Sequence, residues 1–438
     1  MYKITTLLFL LSIGIISCIE IDNKFNALPP GPWRGVLKLP LNEGPESIRI
    51  KEEQQKEYSI EKNYRELPFI FNVVYITKDS FIVEIINGDE TIIVSDIIYA
   101  LDRSTAKDTL TFNFPAYDTY IKAIYEENFI EGAWYVNYKE NYSIPFIAYQ
   151  GKNQRFKVNP IDAEIDMTGE WAVTFDYDKG EDAYPAVGVF KQDGKKLTGT
   201  FKTETGDYRF LEGLVSGKKS YLSVFDGAHA FLFEAKETAT DELTGKFYSG
   251  KHYESNWIAK RIKTGGSGLT SPYNLSKSTT EEAINFSFKN SSGQTISLND
   301  QKYQGKAKLI NIMGTWCPNC RDEANFLKEN YKQLQDQGIE VISLAFERYR
   351  DEEKSLEAIK RYENNMEIPW TMLYAGNYNK TEASEILNFV DKVISYPTLF
   401  FVNKDNKIIK IHTGFNGPAT GEYLDFKKEF FEIINTIQ

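Results

Sequence analysis

From about Pro29 to Arg261, apolar and polar residues alternate in short runs broken by Gly, Asp and Asn. Phe69–Ile76, Phe81–Ile86 before Asn87-Gly88, and Ala186–Phe190 ahead of Asp193-Gly194 are examples. A period of two marks half-buried strands, and Asn-Gly and Asp-Gly supply the positive φ of tight hairpins, so this region reads as antiparallel sheet. After Lys277 the pattern changes. Phe286–Phe288 and Lys308–Ile312 read as strands, Cys317–Gln335 as a helix with Phe326, Leu327, Tyr331 and Leu334 on one face, and Glu340–Phe346 as the next strand. Helices near 352–364 and 381–389, strands at Thr398–Val402 and Lys407–His412, and an amphipathic helix at Tyr423–Ile437 complete the chain. Strands alternating with helices, closed by a hairpin and a terminal helix, predict a mixed sheet covered on both faces.

A chain of 438 residues exceeds what one core usually holds. The predicted fold is multidomain: antiparallel β modules of sandwich or barrel type, then an α/β domain. The β region repeats itself, since Gly132–Tyr138 resembles Gly169–Phe175 and Leu197–Phe201 resembles Leu243–Phe247. With a break near Asn159-Pro160 this predicts two modules, 28–160 and 161–262. The Gly-x-Trp at Gly169–Trp171 resembles the head of lipocalin-like barrels, a motif too short and common to imply a ligand. Residues 263–283 contain Gly265-Gly-Ser-Gly268 and lack an apolar period, so they read as a flexible linker to an α/β domain over 284–438.

The first residues address the chain. Lys3 gives a positive flank, Ile4–Ile16 is almost wholly apolar, and Ile15-Ile16-Ser17-Cys18 places a small residue before a cysteine. Residues 1–17 resemble a bacterial lipoprotein signal peptide, which implies cleavage before Cys18, lipidation of its sulfur, and a protein of the cell envelope held on a membrane, facing the periplasm. An ordinary signal peptide with an incidental cysteine also exports the chain. The net charge of −11 argues against nucleic acid as a partner, because phosphate contacts need clustered Lys and Arg.

An exported scaffold stapled by disulfides would carry several spread pairs. Here Cys317 and Cys320 are the other two of three cysteines. A bridge across so short a loop constrains little of the unfolded chain. A structural zinc site wants four Cys or His ligands, whereas His229, His252 and His412 stand far apart in sequence, so no metal or other cofactor is expected. A redox dithiol remains. Lys308–Cys320 runs from an apolar strand through Trp316 into the pair, and a dithiol at a helix start has its first thiolate stabilised by unpaired N–H groups and the dipole. Cys317 is read as the attacking sulfur and Cys320 as the resolving one. Trp316 shields the pair, Asn319 completes the dipeptide between the cysteines, and Pro318 suits the first turn, where its missing N–H costs little.

At Gly314–Arg321 the chain resembles the thioredoxin superfamily, and within it the membrane-tethered TlpA/ResA-like branch. The resemblance spans about 284–438 and includes Tyr396-Pro397-Thr398, matching the cis-proline beside the dithiol. It implies that Pro397 keeps the Cys317 face open for a substrate strand. It also implies that Asn311 stands where thioredoxin has a buried acid, so that proton handling at Cys320 comes from elsewhere. Glu347, at the end of Val341–Phe346, resembles the branch's active-site glutamate and is the expected relay. One departure is Glu323-Ala324-Asn325, where the family helix carries a proline.

These readings imply an exported, lipid-anchored thiol-disulfide oxidoreductase of reductase type, acting on extracytoplasmic protein thiols or disulfides and recharged by a membrane electron donor. Two others stay open: a thiol peroxidase, and a lipoprotein whose 28–262 region binds a glycan, lipid or protein. For the last, His229 and Arg209 are polar residues in apolar company, read as structural.

Overall fold

The computed structural model describes residues 27–41, 64–158, 161–264 and 268–437. Residues 1–17, read above as a signal peptide, and Cys18 lie outside the described residues.

Nine antiparallel strands, from Gly31–Pro40 to Ser143–Gln150, form the first sheet. Gly31–Pro40 pairs with both Tyr64–Thr77 and Ser143–Gln150, while Glu90–Val94 and Ile97–Asp102 are the two free edges. The result is a half-barrel. A second sheet of nine strands, Gly169–Phe175 to Tyr253–Arg261, closes on itself. Gly169–Phe175 pairs with Tyr184–Asp193 on one side and Tyr253–Arg261 on the other, and Tyr184–Asp193 continues to Lys196–Thr203. Rings fill this barrel: Phe233 lies 4.3 Å from Phe247 and 4.6 Å from Phe201, with Phe175 and Trp257 packed around them. The Tyr and Phe abundance of the β region is thus largely core.

The two β units share a core. Phe225, on the barrel strand Lys219–Phe225, is fully buried in the hollow of the half-barrel, 4.7 Å from the ring of Phe69 and 5.3 Å from that of Trp134. A half-barrel leaves an apolar concave face that must be covered, and the outer face of the closed barrel covers it. Buried polar groups stitch the seam: Asn87 donates to the Phe225 carbonyl at 2.9 Å, and Arg155 donates to the carbonyls of Ser223 at 3.2 Å and Ile86 at 2.5 Å.

The C-terminal domain is built on a mixed seven-stranded sheet. The inner strand Ala307–Met313 is buried throughout and pairs in parallel with Ile339–Glu347 and antiparallel with Thr398–Val402. The strand Thr371–Asn377, which the apolar pattern did not predict, runs parallel to Ile339–Glu347. A parallel strand covered from both faces shows no period of two, which removes the usual signal. Helices α1 (Pro318–Asp336), α2 (Glu352–Met366), α3 (Lys380–Ile386) and α4 (Glu422–Ile434) flank the sheet. α1 buries Phe326, Leu327 and Leu334, and the ring of Phe326 meets that of Phe430 of α4 at 4.9 Å.

The stretch predicted as a flexible linker is docked along this domain from Pro272 onward. Thr413 N–H donates to the Pro272 carbonyl at 3.0 Å, Lys277 N–H to the Asp391 carboxylate at 2.8 Å and Thr279 N–H to the Phe389 carbonyl at 3.1 Å. Its composition lacks an apolar period because hydrogen bonds, rather than an apolar face, hold it.

Candidate active site

The strand Ala307–Met313 carries the chain up to Gly314, and α1 begins at Pro318, so residues 314–317 turn at the carboxyl edge of the sheet. Cys317 is the N-cap of α1 and is joined to Cys320 by a disulfide, with 5.2 Å between their Cα atoms. The Cys317 sulfur accepts the Cys320 N–H at 3.2 Å and lies 3.4 Å from the Tyr396 carbonyl oxygen. The Tyr396–Pro397 peptide is cis. Trp316 donates its indole N–H to the Phe346 carbonyl at 3.0 Å and stands edge-on to Tyr378 and Tyr396. A thiolate at Cys317 would sit on the positive end of a 19-residue helix.

Two buried carboxyls flank the pair. Glu347 accepts the Thr315 N–H at 3.0 Å and the Thr315 hydroxyl at 2.8 Å, and burial pushes its pKa up to about 7 against the pull of those bonds. It therefore holds the turn that leads into Trp316 and Cys317. Glu323 is the acid that sequence reasoning passed over. It lies three residues after Cys320 on α1, which puts both side chains on one helix face. It is fully buried, accepts a hydrogen bond from Asn311, and leaves Oε1 without a partner among the described residues. Burial pushes its pKa up to about 8. The spacing from Cys320 was the available signal, visible in the sequence only as a missing proline.

The Cys317 face is not open, contrary to expectation. Cys317 is 5% exposed and Cys320 is fully buried, because the β barrel sits over them. The barrel segment 203–207 lies along the rim of the C-terminal domain: Gly206 pairs in parallel with Phe415, and the Asp207 carboxylate accepts the Gly417 N–H at 2.6 Å. Asn319 donates to the carbonyls of Asp207 and Phe415, each at 3.4 Å. Gly206 has a φ of 149°, which L side chains rarely adopt, and a Cβ there would meet the Asn319 amide nitrogen at 2.2 Å and the Phe415 carbonyl oxygen at 3.1 Å, so glycine suits this approach.

Arg209 joins all three units. It pairs with Glu90 of the half-barrel at 2.5 Å, with Asp226 of the barrel at 3.6 Å, and with Asp322 of α1. Nearby, Arg361 of α2 pairs with Asp118 at 2.9 Å and Arg321 donates to the Tyr117 hydroxyl at 3.2 Å. Arg209 is accordingly structural, whereas His229, 3.2 Å from the Asp226 carboxylate, lines a cavity above the dithiol.

That cavity, of about 320 Å³, lies where the three units meet. The half-barrel supplies Tyr138, Lys139 and Tyr142, the barrel His229 and His252, and the C-terminal domain Trp316, Cys317 and Arg348. Of the β-module residues only His229 stood out in the sequence, and no motif announced the others. Among the described residues no cluster of three or more His, Cys, Asp or Glu could hold a metal ion.

A model of the AhpC/TSA family matches residues 279–411. The chain is similar to the thiol-disulfide oxidoreductase ResA of Bacillus thuringiensis subsp. konkukian, 29% identical over 147 residues, 33% of this chain and 73% of that protein. It is also similar to ResA of Halalkalibacterium halodurans, 26% identical over 154 residues, 35% of this chain and 76% of the relative. Among solved structures, the C-terminal domain of a putative thiol-disulfide oxidoreductase from Bacteroides thetaiotaomicron is 20% identical, covering 36% of this chain and 98% of that one, with a TM-score of 0.28. The C-terminal region is thus a thioredoxin-like domain of the AhpC/TSA type, and the chain is a thiol-disulfide oxidoreductase with ResA-like relatives.

Proposed function

We propose that the protein is exported, anchored by lipid at Cys18, and reduces disulfides of extracytoplasmic proteins through Cys317 and Cys320. The observation that carries this reading is the bonded pair at the N-terminus of α1, with Cys317 lining a cavity. In the reduced protein the Cys317 thiolate attacks one sulfur of the substrate disulfide; that bond breaks and half of the substrate leaves as a thiolate, which takes up a proton. Cys320 then loses its proton, attacks the Cys317 sulfur and releases the other half as a thiol, so two electrons pass to the substrate and the Cys317–Cys320 bond forms.

Glu323 is the proposed proton acceptor for Cys320. A carboxyl near pKa 8 lies close to the ordinary thiol value of about 8.5, so the proton moves between them at little cost. Glu347 is a positioning residue that fixes Thr315, Pro397 bounds the site beside Cys317, and Asn311 orients Glu323. A membrane donor recharges the dithiol, since the third cysteine is the lipidated one. The second thiol only three residues away favours exchange over the peroxidase reading.

Trapping tests the assignment. Cys320→Ser is expected to accumulate partners as mixed disulfides on Cys317, and Cys317→Ser to accumulate none. Equal trapping by the two variants overturns the roles.

A further inference from the structure

Resting on the exchange reading above, we propose that the cavity selects disulfides that carry a carboxylate beside the reacting sulfurs, by means of Lys139 and Arg348. The barrel closes the rim beside Cys317, so the cavity is the approach to the buried sulfur, and its lining sets what can enter.

Three observations carry the argument. First, two cations from different units face one small space. Lys139 comes from the loop after the half-barrel strand Phe129–Val136, and Arg348 follows the strand Ile339–Glu347. Second, neither makes a salt bridge among the described residues, although Arg348 lies in the field of the buried Glu347; the groups packed against them are rings. Lys139 lies 4.5 Å from the Tyr142 centroid, Arg348 lies 4.1 Å from that of Trp316, and Arg348 Nε has no hydrogen-bond partner among the described residues. Asp207 is the carboxylate lining the cavity, and it is already engaged by Gly417 N–H and by the field of Arg209. Third, the two cations act on what surrounds them. Burial and the neighbouring Arg348 hold the Lys139 ammonium down to about 8, and burial together with Lys139 and Arg348 takes His252 down to about 4.

A chain of net charge −11 that leaves two cations without a salt-bridge partner in the cavity of its redox sulfur has built an attractive site for an anion. Cavities lined by one sign concentrate ions of the other and raise encounter rates by roughly 10- to 1000-fold. A carboxylate can come from a small disulfide or from an extended acidic cystine peptide, and the experiment separates these sources. In either case the exchange balances as above: one substrate disulfide and the dithiol give two substrate thiols and the Cys317–Cys320 bond.

The test mixes the reduced full chain with dithiodipropionate, which carries two carboxylates, and with neutral bis(2-hydroxyethyl) disulfide, following tryptophan fluorescence. Each rate constant is divided by that of free dithiothreitol with the same disulfide, which removes intrinsic reactivity. The expected anionic-to-neutral ratio is about tenfold or more at low salt. It falls several-fold in Lys139→Glu and in Arg348→Gln, and toward unity in 1 M salt, where screening acts within about 3 Å. A parallel pair of short cystine peptides, one acidic and one lysine-rich, assigns the source: discrimination between the peptides points to an extended chain, and discrimination only between the small disulfides to a small molecule. A ratio near one in the unmodified protein, or a ratio that survives both substitutions, overturns the proposal and leaves exchange standing. Failure of both small disulfides and both peptides to oxidise the dithiol overturns the exchange reading itself.

Discussion

Glu323 is where a single side chain carries the most consequence. A carboxyl with a folded pKa of about 8 and an ordinary value near 4.5 keeps, between those limits, a proton that the unfolded chain has lost. Stability is therefore fully present below about pH 4.5 and is lost as pH rises toward 8, by up to about 1.4 kcal/mol per unit. Glu323→Gln is expected to flatten that fall, which urea unfolding at pH 5 and pH 8 measures; parallel profiles for the two proteins would show that burial of Glu323 is not titrating. Thr315→Val removes the hydroxyl that serves Glu347 and leaves a buried carboxyl half-satisfied, so a loss of about 1–3 kcal/mol is expected in the same unfolding experiment at pH 8. Cys317 and Cys320 were legible in the sequence because a two-residue gap at a helix start is a local fact. Glu323 was less so, since its meaning depends on being sealed beneath the sheet beside Asn311.

At the scale of elements, the contact between the barrel segment 203–207 and the rim of the C-terminal domain sets the exposure of the dithiol. Gly206→Ala puts a methyl 2.2 Å from the Asn319 amide nitrogen and 3.1 Å from the Phe415 carbonyl oxygen at a φ of 149° that side chains disfavour, which loosens the seating of the segment. Alkylation of Cys317 in the reduced variant is expected to be several-fold faster than in the parent, at a stability cost of about 1–3 kcal/mol from overpacking. Unchanged alkylation with unchanged stability would mean that the segment does not guard the sulfur. The period of two marked 29–261 as antiparallel sheet, yet it could not say that one sheet stops as a half-barrel and the next closes. Closure is decided by which strand ends find one another, and the pairing of the first strand, Gly169–Phe175, with the last, Tyr253–Arg261, is a matter of barrel curvature.

The two β units share an apolar core, and a charge cluster around Arg209 joins them to the C-terminal domain. Phe225→Ala empties the hollow of the half-barrel and is expected to cost about 3–5 kcal/mol. Arg209→Met leaves Glu90, Asp226 and Asp322 without their cation, with an expected loss of about 3–5 kcal/mol. Calorimetry is the check for both. Separate transitions for the β units and the C-terminal domain are expected for Arg209→Met, and a single unshifted transition would remove Arg209 from the coupling role.

What the amino-acid sequence determined by itself is whatever depends on neighbours a few positions apart: the hairpins, the strand-turn-helix around Cys317, and the order of β region before α/β domain. Those features follow from turn chemistry, side-chain period and helix capping, all of which act within about one turn or one strand. The tertiary structure alone decided that Lys139, His252 and Arg348 meet above Cys317, although they come from three units. The physical reason is that their meeting rests on burial of Phe225 and on the charges gathered around Arg209. Such long-range packing carries no period, and no local signal, along the chain.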